Sequence, residues 1–206
     1  HRRISGGDIR DHRPATPCAR LFEPTLDARH VAAEYSIRET GESSPRPTDL
    51  LGFRPMFHLY DVETENGWVS MLAVIPPDRA LAAGLPSPAV VGTVPKDAAD
   101  ITPANFTPNV EFSDFLNYVI GKYGADDPAL QHQASEHGDG WLFMVDLRVG
   151  EDEGEIQSED IIGAFRAERG AVVDGSYRAN PKHQLQTSRG LPQLAEWLQE
   201  KLVEEL

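Results

Sequence analysis

The feature that most constrains this chain is the dipeptide Asn66-Gly67, which stands between two strand-like runs, 57–62 and 68–75. Both central positions of a tight two-residue hairpin turn need a positive φ, and these two residue types tolerate it best, so a hairpin is predicted here. The second run, Trp68 to Ile75, is apolar on both parities, which predicts a central strand with neighbours on each side. A third strand is expected over 89–94, reached across a short helical stretch from Pro77 to Ala83. Arg169-Gly170 divides 161–168 from 171–178 in the same manner and predicts a second hairpin, with Phe165, Val173 and Tyr177 facing the core.

From Thr107 the apolar period changes to three and four residues. Phe112, Phe115, Leu116, Val119 and Tyr123 share one face of an amphipathic helix, with Pro108 suited to its first turn and Gly124 to its end. Asp127-Pro128 opens a shorter helix running to about Glu136. The segment 141–149 then alternates, and Trp141, Phe143, Val145, Leu147 and Val149 read as its dry face. A last helix is expected from Pro192, with Leu194, Leu198, Leu202 and Leu206 as its stripe. Strands and helices come in blocks rather than alternating, and no internal repeat is present. The expected class is therefore α+β: a mainly antiparallel sheet built from hairpins, with helices packed on one face. A doubly wound sheet is the second choice.

One cysteine, Cys18, excludes an intrachain disulfide, so the core alone must hold the fold, as in a reducing, cytoplasmic setting. No apolar run approaches the ~20 residues of a membrane helix, and the N-terminus lacks a signal-like segment. His1 in place of methionine fits either a trimmed or a processed start. The net charge of −14 repels phosphate backbones and anionic lipid, which disfavours nucleic acid and membrane as partners and favours a basic protein surface. The charge is uneven, because Arg2, Arg3, Arg10, Arg13 and Arg20 face only Asp8 and Asp11 in the first twenty residues. This suggests a basic arm over 1–24 ahead of a single domain over 25–206, with a short helix from Thr25 to about Tyr35.

Four groups of residues invite a chemical reading. His132, His137 and Asp139 offer imidazole and carboxylate donors for a divalent metal near a helix end, although they do not share one helical face. The acidic stretch Glu151, Asp152, Glu153 and Glu155, with Glu159 and Asp160, has oxygens enough for calcium but not the spacing of a calcium loop, and reads more plainly as solvated charge. Ser176 and His183 with Asp146 or Asp174 supply the residue types of a nucleophilic triad, yet no nucleophile elbow surrounds the serine. The fourth group is a polar, basic island in an acidic body, carrying Tyr177, Arg178, Asn180, Lys182, His183 and Arg189 between the second hairpin and the last helix. Polar segments held by a scaffold often carry recognition, which makes this island the expected binding surface. The expected function is that of a non-enzymatic protein-binding or assembly module without a cofactor, meeting a protein partner or its own copies. The alternative is a divalent-metal-dependent hydrolase built on His132, His137 and Asp139.

Overall fold

The computed structural model describes residues 38–39, 56–64, 67–150 and 155–206. All lie within 33–206, the larger of the two units into which the chain divides. The expected arm, the helix from Thr25, Cys18 and residues 151–154 of the acidic stretch fall outside the described residues.

The first sheet is antiparallel and follows sequence order: β1 (Arg38–Glu39), β2 (His58–Thr64), β3 (Gly67–Ala73), β4 (Val90–Pro95) and β5 (Thr107–Pro108). Strand β3 lies between β2 and β4, as its two apolar parities predict, and buries Ser70, Leu72 and Ala73. The β2–β3 hairpin forms, but Thr64 pairs with Gly67, so its link is residues 65 and 66, one position upstream of Asn66-Gly67. Helix α1 (Pro77–Ala83) crosses from β3 toward β4, with proline at its first position.

The second sheet is also antiparallel, so the expected single sheet is two. Strand β6 (Gly140–Val145) pairs with β7 (Ile161–Glu168), which pairs on its other side with β8 (Ala171–Val172) and β9 (Arg178–Ala179). Glu168 faces Ala171, leaving Arg169 and Gly170 as the turn at φ 53° and 78°, the two positive values that a type I′ turn requires. The strand expected to continue to Arg178 breaks after Val172. Ser176 there takes the place of a backbone partner, its hydroxyl accepting from Arg166 N at 2.9 Å and donating to Val173 O at 2.6 Å across an inserted turn at Gly175.

Helix α2 (Val110–Tyr123) buries Phe112, Leu116, Val119 and Ile120. It starts two residues after the proline expected in its first turn, because Pro108 pairs with Gly92 in the sheet and Asn109 caps Glu111 N at 3.1 Å. Helix α3 (Pro128–His137) starts at its capping Asp127, as Asp127-Pro128 predicts. Helix α4 (Glu196–Glu204) starts later than Pro192, since Gln193 is held extended: its N–H donates to Asp146 Oδ1 and its carbonyl accepts from Leu147 N. Leu194, Leu198 and Leu202 are buried, as the stripe predicts.

Small residues on α2 and just past its end seat the second sheet. A Cβ at Gly124 would stand 2.6 Å from the Phe165 ring, and one at Gly121 would stand 3.3 Å from Tyr177. Buried side chains from both sheets and from helices α1 to α4 form one core. Within it, Tyr60 donates its hydroxyl to Ile75 O at 2.6 Å.

Candidate functional site

The segment 141–149 is a strand only to Val145, and its two faces are the reverse of the sequence expectation. Trp141, Phe143 and Leu147 stand 40%, 56% and 57% exposed, whereas Leu142, Asp146 and Arg148 are buried. The reason is electrostatic. Burying a charge is costly unless its polar atoms find partners, and among the described residues each side-chain nitrogen and oxygen of Asp146, Arg148 and Asp160 has one. Arg148 Nε donates to Asp160 Oδ1 at 2.9 Å, Nη2 to the Glu159 and Gln184 carbonyls at 3.0 and 2.8 Å, and Nη1 to Gly190 O at 3.2 Å. Arg189 Nη1 closes on the other Asp160 oxygen at 2.6 Å. Asp146 Oδ1 accepts the N–H groups of Arg148 and Gln193 at 3.0 and 2.8 Å, and His183 Nε2 lies 3.4 Å from its Oδ2. The cluster ties the end of β6, the 3₁₀ turn Ser158–Asp160 and the segment 183–193 into one clasp.

This clasp uses most of the polar island. Of its six candidate residues, four make side-chain hydrogen bonds or ion pairs within the protein. His183 and Arg189 meet the buried carboxylates. Asn180 Nδ2 donates to the Ser158 and Ile161 carbonyls, both at 2.7 Å. Tyr177 donates its hydroxyl to Asn117 Oδ1 at 2.7 Å, and burial pushes its pKa well above the usual phenol value. Arg178 and Lys182 are exposed. Asp160, expected as part of a solvated acidic loop, is fully buried and doubly paired.

The other candidate groups do not converge. His132 makes only a 3.7 Å contact with Glu136 on an exposed helix face, and Asp139 Oδ1 accepts from Arg169 N at 2.5 Å. His137 lies against Gly140, where an added Cβ would stand 2.9 Å from its Nε2. Among the described residues no three His, Cys, Asp or Glu side chains are arranged to hold a metal ion. His183 does meet Asp146, but the Ser176 hydroxyl is spent on the backbone of Arg166 and Val173, away from His183.

What remains for a partner is the outer face of the second sheet. Trp141 and Phe143 project from β6, Arg166 and Ala164 stand opposite them on β7, and Arg178 on β9 pairs with Ala164. Because Ala164 is small, the Arg178 guanidinium reaches across to lie 4.9 Å over the Trp141 ring. Sequence reasoning missed this face by assigning its aromatics to the core. Asp146 and Arg148, on the parity of Leu142, pointed that side toward water, and the partners that bury them lie 12 and 36 or more residues away in the chain.

This architecture defines an α+β protein whose two antiparallel sheets share one core with helices α1 to α4. No protein-family model matches the chain, and no curated protein or solved structure is detectably similar to it. Among the described residues no helix is long and apolar enough to cross a membrane.

Proposed function

We propose that this chain is a non-enzymatic protein-binding or assembly module that docks its partner on the outer face of the β6–β9 sheet. The observation that supports this reading is the exposure of Trp141 and Phe143 on β6, with Leu142 buried between them and Leu147 exposed just beyond the strand. Scattered apolar residues on a surface are ordinary, but two large aromatics on alternate positions of one strand, with a third apolar side chain just beyond it, form a patch of the kind that marks interaction sites. Aromatic residues with a neighbouring arginine are also the side chains that most often anchor protein interfaces. The buried clasp has no exposed nucleophile and no unspent carboxylate oxygen, and it serves to hold this face rigid.

Affinity capture with wild type and the double variant Trp141→Ser/Phe143→Asp tests the proposal. A protein retained by wild type and lost by a variant of unchanged Tm is the expected result. Equal recovery by both would overturn it.

A further inference from the structure

The aromatic face of the second sheet ends in an edge, and that edge is unlike the others. The first sheet closes on β1 and β5, each two residues long, with Pro108 in the latter, and the second sheet's far side is made of the two-residue β8 and β9. Short strands and prolines are the usual guards against unwanted pairing. Strand β6 has neither: its six residues, Gly140 to Val145, include no charge and no proline, and among the described residues no strand pairs with it on the side away from β7. Its outer edge offers backbone donors and acceptors beside two exposed aromatic rings.

The charges around this edge have the sign opposite to that of the whole chain. Arg178 lies over Trp141 with no carboxylate in ion-pair range among the described residues, and Arg169, at the mouth of a shallow hollow with Trp141 and Arg166, has none either. The carboxylates beside them are already engaged, Glu168 by Arg166 at 2.9 Å and Asp139 by the Arg169 amide. In a chain with 33 acidic and 19 basic residues, two arginines with no ion-pair partner among the described residues, Arg178 reaching over Trp141 from β9 and Arg169 beside Asp139, are a local reversal of charge.

Resting on the proposed docking role of this face, we propose that β6 takes up an extended, acidic segment of a partner protein as an added strand. Backbone pairing along 140–145 supplies the affinity common to strand addition, and side chains at alternate positions supply selectivity. An apolar side chain of the segment packs beside Phe143, and a carboxylate two positions away meets Arg178 or Arg169 at the Gly140 end. The chain's net charge favours a basic partner at long range, but at this edge the complementary sign is negative.

Two end-blocked synthetic heptapeptides test the proposal, Thr-Glu-Thr-Leu-Thr-Leu-Thr and its twin with lysine in place of glutamate. The acidic peptide is expected to slow amide exchange at alternate positions of 140–145, and the lysine twin to bind roughly fivefold more weakly, the scale of one exposed ion pair. Arg178→Glu is expected to reverse that order. Equal binding of the two peptides would overturn the charge assignment. Absence of protection in 140–145, while the double variant still loses a captured partner, would overturn strand addition and leave the docking face standing. Absence of protection together with a partner still retained by the double variant would remove both. A wild-type dimer by sedimentation that Phe143→Asp converts to monomer would replace the acidic segment with a second copy of the chain.

Discussion

Strands β3 and β6 begin with the same dipeptide, Gly67-Trp68 and Gly140-Trp141, continue with Met71 and Met144, and carry no charge. Yet β3 lies in the middle of its sheet with Ser70 buried, whereas β6 lies at an edge with Phe143 in water. Each tryptophan is covered by a cation, Lys96 at 4.4 Å over Trp68 and Arg178 at 4.9 Å over Trp141. The difference comes from the residues just beyond each strand. After β3 the chain continues as Val74 and Ile75, which bury easily, while after β6 it continues as Asp146, Leu147 and Arg148. The two charges enter the interior because the clasp satisfies them, beyond a register shift between Met144 and Val145, and within β6 the pleat sets Leu142 inward and Trp141 and Phe143 outward. Apolar content identifies a strand; its partners decide which side is dry.

The clasp is the point at which that account is most easily broken. Asp160→Ala leaves Arg148 buried beside a vacancy and is expected to cost ~3–5 kcal/mol, the usual scale for breaking a buried pair by removing one partner. Chemical denaturation checks it, and a loss below about 1 kcal/mol would mean that the clasp does not set the orientation of β6. The neighbours Leu142 and Phe143 give the next effect. Leu142 is 2% exposed, so Leu142→Ala should cost ~2–5 kcal/mol, whereas Phe143→Ser should stay within about 0.5 kcal/mol. The same measurement on β3 should show Leu72→Ala behaving like Leu142→Ala. Equal losses at 142 and 143 would show that both faces of β6 are covered.

A third contrast sets a glycine in each sheet side by side. A Cβ on Gly163 would come within 2.5 Å of the Tyr177 ring and 2.7 Å of Arg178 O, and one on Gly92 within 2.5 Å of Thr107 O and closer still to the Phe106 ring. Both alanine substitutions collide with backbone as well as ring, and each is expected to cost ~1–3 kcal/mol. Gly163→Ala also displaces β9, so it alone should change the near-ultraviolet signal of Trp141 by moving Arg178. A spectral change from Gly92→Ala of the same size would mean that the two sheets do not respond independently.

The elements were largely legible in the sequence, and the site was not. The hairpin at Arg169-Gly170, helix α3 at Asp127-Pro128 and the stripe Leu194, Leu198, Leu202 are local signals, each fixed by turn chemistry, a cap or a period, and each appears in the structure. The start of α2 moved because Asn109 competed successfully with Pro108, and the start of α4 moved because Asp146 captured Gln193 from 47 residues away. The clasp joins 146–148 to 158–160 and 183–193, and no local pattern reports such long-range pairings. The candidate island was the right neighbourhood with the wrong orientation: His183 and Arg189 turn inward to the carboxylates, and Arg178 turns outward to a tryptophan assigned to the core.

The smallest expected effect asks whether the two tryptophan–cation pairs do the same work. Lys96 also lies 4.0 Å from Asp61, whose side chain is mostly buried, so Lys96→Ala removes a ring contact and a partner for that carboxylate. Among the described residues the Arg178 guanidinium has only the Trp141 ring, on an exposed face. Exposed cation–π contacts are worth ~0.5–1 kcal/mol, and a weak surface ion pair adds up to ~1 kcal/mol. Lys96→Ala should therefore cost about 1 kcal/mol and Arg178→Ala about half of that or less. Double-mutant cycles with Trp68→Leu and Trp141→Leu isolate the ring contribution, and the two coupling energies should agree within error. A coupling at Trp141 that clearly exceeds the one at Trp68 would make Arg178 a structural brace for the edge strand. In that case it would not be free to leave the ring for an incoming carboxylate, and the acidic segment would lose one of its two cationic contacts.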